Sequence, residues 1–235
     1  MEHMIDSARQ FDTRPGSAVY GSLVLKLYDA WVLGISNQLA WRCGTRQVLL
    51  PFYRRHVSAN HLEVGVGSGF YPAHAGFHAG QQVTLLDLNE HSLAATARRL
   101  GHTQVTQQVG DVMQPLTMLE GRQFDSIALF YLLHCLPGTM SEKACAFAQL
   151  KAHLAPDGVL FGATVLGDEA GHNLFGRALQ REYNRKGIFD NQRDTRQSLH
   201  AALSLHFNEV SVEQKGVVAL FVARAPLPRA PANRC

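Results

Sequence analysis

The stretch "HLEVGVGSGFYP", residues 61–72, decides the prediction of the fold. An apolar run containing Glu63 leads into three glycines, Gly65, Gly67 and Gly69. A short apolar run bounded by glycine is typical of a buried strand, and a loop almost bare of side chains lets a ligand lie against the backbone. The carboxylate ahead of the loop suits a ligand that carries hydroxyl groups or positive charge.

Strand and helix patterns alternate after this loop. We predict strands at 60–66, 82–88, 103–109, 124–133 and 159–167, helices at 70–79, 89–100, 141–155, 170–186 and 194–205, a "PDG" turn at 156–158 and a closing hairpin around "QKG". Asn89 and Ser141 are the predicted first residues of two of these helices. Such alternation indicates a doubly wound, mostly parallel α/β sheet, whose ligands bind at the carboxyl ends of the strands.

Composition restricts the classes of function. The chain has 235 residues, is 46% hydrophobic and 17% charged, and carries a net charge of +3 with its Lys and Arg residues scattered. Dedicated nucleic-acid binders usually gather a basic face, so we expect no nucleic-acid partner. The four cysteines form no metal-binding pattern, and the sequence shows no signal peptide and no apolar run long enough to cross a bilayer. We therefore predict a cytoplasmic protein without membrane insertion and without a metal.

A dinucleotide is one candidate ligand for the glycine loop. The dinucleotide fingerprint is G-x-G-x-x-G, but Phe70 occupies the third glycine position here. Glu63 would also meet the pyrophosphate with a charge of the same sign. A nicotinamide-dependent oxidoreductase is therefore the weaker interpretation.

S-adenosylmethionine is the other candidate, because it carries no phosphate and tolerates a nearby carboxylate. Asp87 closes the second predicted strand and can accept both ribose hydroxyls. Asp111 follows the third strand, where it can receive the adenine amino group while the amide of Val112 meets a ring nitrogen.

At this point the chain resembles the class I S-adenosylmethionine-dependent methyltransferases of small molecules, over about residues 58–225. The resemblance rests on the ordered motifs "LEVGVGSGF", "VTLLDLN", "VGDVMQ", "FDSIALFYLLHCLPG" and "LKAHLAPDGVLFGATVLG". It implies a Rossmann-like sheet of seven strands with the last strand antiparallel. It also implies a set of cofactor-binding residues: Glu63, Gly65, Gly67, Ser68, Gly69, Asp87, Leu88, Asp111, Val112, Phe130 and Tyr131, with Tyr20 and Tyr28 matching a tyrosine that reaches the methionine end.

We predict four regions: a flexible N-terminus at 1–17, a helical cap at 18–57, the methyltransferase domain at 58–225 and a Pro-rich tail at 226–235. The cap and residues 168–200 are expected to roof the pocket for a small organic acceptor. The fourth strand lacks the Asp/Asn-Pro-Pro-Tyr signature of base amino methyltransferases, which leaves oxygen, nitrogen and carbon acceptors open. A protein that binds the cofactor without transferring methyl groups is a further alternative.

His134 is the candidate catalytic residue. It follows the fourth predicted strand, where a neutral imidazole can act as a general base. A lone histidine in an apolar stretch is also interpretable as a hydrogen-bonded structural residue. His172, in a predicted lid segment, and Trp31, on a helix face, are further candidates for contact with the acceptor.

Overall fold

A computed structural model describes residues 29–228 of the chain, with side chains described from residue 35. Tyr20 and Tyr28 lie outside the described residues, as does the side chain of Trp31. Their predicted contacts therefore stay predictions.

Seven strands form one sheet in the order β3-β2-β1-β4-β5-β7-β6. They are β1 (Asn60–Val64), β2 (Gln82–Asp87), β3 (Gln104–Val109), β4 (Phe124–Phe130), β5 (Leu154–Val165), β6 (Phe207–Lys215) and β7 (Val218–Pro226). The first five strands are parallel, and β7 is antiparallel to both of its neighbours, β5 and β6. The predicted fold class is confirmed.

Helices accompany the strands along the described chain. They are α1 (Asp29–Ala40), α2 (Thr45–Leu49), α3 (Leu50–His56), α4 (Phe70–Ala73), α5 (Glu90–Arg99), α6 (Met140–Lys151), α7 (Leu174–Arg185) and α8 (Arg196–Ser204). The first two have wide π-helical turns, and α2 runs directly into α3. None of the helices among residues 29–228 is both long and apolar enough to cross a membrane.

The two faces of the sheet carry different parts of the core. Leu160 of β5 packs in a cluster with Phe147 of α6, while the next residue, Phe161, packs in another cluster with Tyr53 of α3 and Trp41. Alternate residues of a strand point to opposite faces of its sheet, so both faces are covered. Helix α3 therefore belongs to the core that supports the strands, in addition to any role as a cap.

Several predicted boundaries differ from those in the structure. Helix α4 ends at Ala73 and not at residue 79, and Gly76 soon after it has a positive φ of 91°. Helix α6 begins at Met140, one residue ahead of the predicted start, because Thr139 and Glu142 form a capping box, and it ends at Lys151 and not at residue 155. The "PDG" residues lie inside β5, where the register with β4 shifts, so they form an irregularity of the strand and no separate turn.

Candidate active site

The glycine loop follows β1 at the edge where the parallel strands end. Gly65, Gly67 and Gly69 have φ values of 70°, 53° and 73°. A Cβ at Gly65 would lie 2.8 Å from Leu132, and one at Gly69 would lie 2.5 Å from the Thr96 hydroxyl. A Cβ at Gly67 would meet nothing within 4 Å. Packing thus explains the outer two glycines, while Gly67 presents bare backbone to open space.

Asp87 ends β2 beside this loop. Its Oδ1 accepts a hydrogen bond of 2.8 Å from the amide of Asn89. Burial raises the pKa of Asp87, while the amides of Asn89, Gly67, Val66 and Leu88 oppose that rise. The amides of Gly67 and Val66 lower this pKa through hydrogen bonds, so the carboxylate of Asp87 is turned toward the glycine loop. Asp87 and Gly67 are therefore brought together, as the motif spacing predicts.

Asp111 lies two residues beyond β3, at the same edge of the sheet. Val109, the last residue of β3, pairs with Asp87 in the parallel register. Asp111 Oδ1 accepts a 2.9 Å hydrogen bond from Met113, and the Val112 side chain is buried in the core. The two aspartates therefore follow neighbouring strand ends, and only the backbone of Val112 is left for contact with a ligand.

Glu63 is held in a buried polar network that the sequence does not reveal. Its Oε2 accepts a 2.5 Å hydrogen bond from the hydroxyl of Tyr53 and lies 3.0 Å from Nε2 of His61. Burial, then the charge and hydrogen bond of Glu63, raise the pKa of Tyr53 well above its ordinary value. Tyr53 belongs to α3. The apolar spacing of that helix predicts that its residues pack in the core, but it does not predict a hydrogen bond to Glu63.

Phe130 and Tyr131 end β4 on the other side of β1. Tyr131 has a φ of 59°, an uncommon conformation for a residue with a side chain, and its amide donates to Ala163 at 2.8 Å. The ring of Phe130 lies 4.7 Å from that of Tyr71 and 5.0 Å from that of Tyr53. Ser68 is buried in the glycine loop that follows β1. Backbone strain at a strand end is typical of functional sites.

His134 is fully enclosed. Its Nδ1 accepts a 3.3 Å hydrogen bond from the amide of Val165 and lies 3.2 Å from the hydroxyl of Thr164. Burial, and then the charge of Lys143, lower the pKa of His134 from 6.5 to about 3. A neutral ring that accepts at Nδ1 carries its proton on Nε2, so neither nitrogen is free to take another proton. The geometry favours the structural interpretation of His134 over the general base.

His172 adopts the same tautomer as His134, with its proton on Nε2. Nε2 lies 3.0 Å from the carbonyl oxygens of both Leu166 and Gly167, so it must be the protonated nitrogen. Nδ1 is then the acceptor, but it faces Gly176 of α7, where an added Cβ would lie 3.3 Å away. This contact places the acceptor nitrogen against a helix and not beside the glycine loop.

A buried ion pair supports the far side of His134. Lys143 Nζ of α6 lies 2.6 Å from Asp194 Oδ2 and donates to the carbonyl of Asp190 at 2.6 Å. The amide of Asp190 donates in turn to the carbonyl of His134. These bonds fix the segment between α7 and α8, which carries Phe189. No sequence motif predicts this ion pair, because Lys143 and Asp194 lie 51 positions apart.

Comparison with known proteins gives related sequences along most of the chain. A methyltransferase-domain family model matches residues 62–160. The chain is 44% identical to the uncharacterized protein YbcY of Escherichia coli K12. The match extends over 192 residues and includes 81% of this chain and 98% of that one. It is 41% identical to the physcion biosynthesis cluster O-methyltransferase of Aspergillus chevalieri, over 91% of this chain and 96% of that one. It is 37% identical to demethylluteothin O-methyltransferase of Streptomyces thioluteus, over 94% of each.

Solved structures share the fold at low sequence identity. A complex of DhpI with S-adenosylhomocysteine superposes with a TM-score of 0.64 at 17% identity, over 92% of this chain and 98% of that one. An O-methyltransferase family protein from Burkholderia thailandensis gives 0.63 at 12% identity, over 91% of this chain and 63% of that one. With the glycine loop, the two aspartates and these relatives in view, the chain belongs to the class I S-adenosylmethionine-dependent methyltransferases and transfers methyl groups to small molecules.

Proposed function

We propose that the protein methylates an acidic hydroxyl group, such as a phenol or an enol, on a planar small molecule. Three relatives support oxygen as the acceptor atom: the A. chevalieri and S. thioluteus proteins above and adaD of Aspergillus niger are named as O-methyltransferases. The last is 36% identical over 91% of this chain and 89% of its own.

The proposed cofactor site is the edge formed by Gly67, Asp87, Asp111 and Glu63. The fit rests on the open space at Gly67, which a side chain would fill, and on the carboxylate of Asp87 turned toward it. Gly65, Ser68 and Gly69 shape the loop, and the amides of Leu88 and Val112 flank the two aspartates. When bound, S-adenosylmethionine supplies a methyl group on a sulfonium, which leaves as a neutral thioether.

The residues of this chain then have to align the acceptor and exclude water. Alignment of this kind is worth roughly 7–11 kcal/mol in well-oriented intramolecular reactions. The residues that we propose to hold the cofactor lie at the ends of strands that are hydrogen-bonded to one another. The sheet therefore fixes their relative positions.

A row of rings beyond the end of β4 is the observation that carries the proposal for the acceptor. The ring of Tyr131 lies 5.5 Å from that of His134, which lies 4.3 Å from that of Phe189. Trp41 lies 6.2 Å from Phe189. His134, Phe189 and Trp41 are buried and Tyr131 is half-buried, so the row backs the ring of Tyr131, which we propose to contact a planar, conjugated acceptor.

The hydrogen bonds of His134 favour an acidic hydroxyl group as the acceptor. Its acceptor nitrogen is occupied by the amide of Val165 and by Thr164, so it takes no proton from the acceptor. Phenols and enols lose a proton more readily than aliphatic alcohols, and they therefore need less help from a base.

Matched acceptors test the proposal. Release of S-adenosylhomocysteine would be measured with 1-naphthol and 1-naphthylamine, which differ only in the reacting atom, and with cyclohexanol and cyclic enols. We expect turnover with the phenol or the enols and none with the amine or the aliphatic alcohol. Turnover confined to the amine would contradict the assignment of oxygen, and equal turnover of cyclohexanol would contradict the need for an acidic hydroxyl.

A further inference from the structure

We propose that Tyr53, together with His61, positions the carboxylate of Glu63 so that its second oxygen pairs with the ammonium group at the amino-acid end of the cofactor. The inference rests on the cofactor site proposed above. It assigns a role in binding to a helix that lies before the matched methyltransferase segment, residues 62–160.

The hydrogen bonds to Glu63 are one-sided. Tyr53 donates to Oε2 at 2.5 Å, and His61 Nε2 lies 3.0 Å from the same oxygen. Within residues 35–228, neither of these contacts reaches Oε1, and no other hydrogen bond to the carboxylate is formed. Two donors on one oxygen fix the plane of the carboxylate and leave its other oxygen available to a ligand.

The protons in the network can be assigned consistently. The amide of Ser58 donates to Ser126 Oγ at 2.8 Å, and Ser126 Oγ lies 2.8 Å from Nδ1 of His61. With the Ser126 hydroxyl donating to Nδ1, a neutral His61 carries its proton on Nε2 and donates it to Glu63. The network then orients the carboxylate without cancelling its charge.

A buried negative charge favours a cationic partner. Tyr53 and His61 are 0% exposed and Glu63 is 2% exposed, so the carboxylate is shielded from water. Charges in such surroundings interact more strongly than in water, and a buried charge that lacks a counter-ion is costly. Glu63 lies in β1, two residues ahead of Gly65, so the strand that carries this charge leads directly into the glycine loop.

Two nucleosides distinguish a change in the position of the Glu63 carboxylate from general damage to the proposed cofactor site. S-adenosylhomocysteine has the ammonium group, whereas 5′-methylthioadenosine has the same adenosine and a thioether but no amino-acid group. Titration calorimetry with Tyr53→Phe should show S-adenosylhomocysteine binding roughly tenfold more weakly or worse, since a hydrogen bond to a charged group is lost. Binding of 5′-methylthioadenosine should stay within about twofold of the wild-type value, because it does not reach Glu63.

A double-mutant cycle supplies the control. Glu63→Gln should weaken binding of S-adenosylhomocysteine, and Tyr53→Phe added to E63Q should cause little further loss, because the two residues act as one unit. Full additivity would contradict the proposal. So would unchanged binding of S-adenosylhomocysteine in Tyr53→Phe, or an equal loss for both nucleosides.

Two further outcomes are distinguishable. Wild-type protein that binds neither nucleoside would overturn the proposed cofactor site and this inference with it. If Tyr53→Phe does not fold, Ser126→Ala tests the outer end of the network: a selective loss for S-adenosylhomocysteine of about twofold or more supports the proposal, and an equal loss for both nucleosides overturns it.

Discussion

Gly67 differs from the glycines beside it. Gly65 and Gly69 have no room for a methyl group, because Leu132 and Thr96 pack against them. Gly67 has room for a methyl group, so its positive φ of 53°, and not packing, favours glycine there. The open space beside its backbone is where we place the cofactor, because a ligand can approach the backbone closely at a glycine.

Gly67→Ala should weaken binding of S-adenosylhomocysteine by roughly tenfold or more, because a methyl group would occupy the space proposed for the cofactor. Gly121→Ala is the matched control, since Gly121 also has a positive φ, 73°, and nothing within 4 Å. Each change should cost about 1 kcal/mol or more of stability, because alanine is strained at positive φ. Calorimetry and thermal unfolding would separate the two effects; equal affinities in the two variants would argue against a ligand at Gly67.

His134 gives the protein a defined response to acid. Its pKa in the folded protein, about 3, lies below its ordinary value of 6.5, so the unfolded chain binds the proton more tightly. The neutral ring therefore stabilises the fold fully above about pH 6.5, and this contribution is lost as the pH falls toward 3.

We expect His134→Asn to unfold more easily than wild type at pH 7.5, with a difference in unfolding free energy that shrinks as the pH is lowered to 4.5. Denaturant unfolding across that range would measure the difference. His78→Asn is the control for the substitution itself, because His78 is exposed and His134 is buried. A constant difference for His134→Asn would mean that the ring is not held neutral.

Helix α6 and the segment between α7 and α8 are joined by the Lys143–Asp194 pair, which is almost fully buried. Burial raises the pKa of Asp194, and Lys143 opposes the rise. Removing one partner of a buried pair leaves the other charge without compensation. Since this segment carries Phe189, the pair also holds the buried rings that lie behind Tyr131 at the proposed acceptor site.

Lys143→Met should destabilise the protein by about 3–5 kcal/mol in urea unfolding, because Asp194 would be left as an unpaired buried charge. Lys143→Met combined with Asp194→Leu should recover a large part of that loss. Lys186→Met is the control, because Lys186 pairs with Glu182 on the surface of α7 and exposed pairs contribute about 0–1 kcal/mol. Similar losses in the two single variants would show that the buried pair has no special role.

The presence of the helices and strands was predicted from the sequence better than the residues at which they begin and end. Asn89 accepts from His91 and Ser92 as a predicted N-cap should, since capping depends on neighbouring residues alone. The "PDG" residues have strong turn chemistry, but they form only a local irregularity, because Leu154 before them and Val159 after them both pair with β4. Local signals hold where the interaction is local and fail where a distant strand decides.

For the whole molecule, the ordered motifs were enough to predict the sheet and the edge at which Gly67, Asp87 and Asp111 meet. The periodic spacing did not predict Tyr53 as a donor to Glu63 or Lys143 as a partner of Asp194. Both contacts join residues from separate elements, and a single sequence contains no signal for such pairs. The division into a cap and a catalytic domain stays a prediction, although α3 shares its core with β4 and β5.

The place of β7 has a consequence for biosynthesis. β7 lies between β5 and β6, so the last strand to leave the ribosome separates two strands that are made before it. Until it arrives, β5 has an open edge and β6 has no partner in the sheet, and unpaired edges of this kind are prone to aggregation. The nascent chain therefore cannot complete this sheet in the order in which its strands are made, because the gap between β5 and β6 stays open until β7 has emerged.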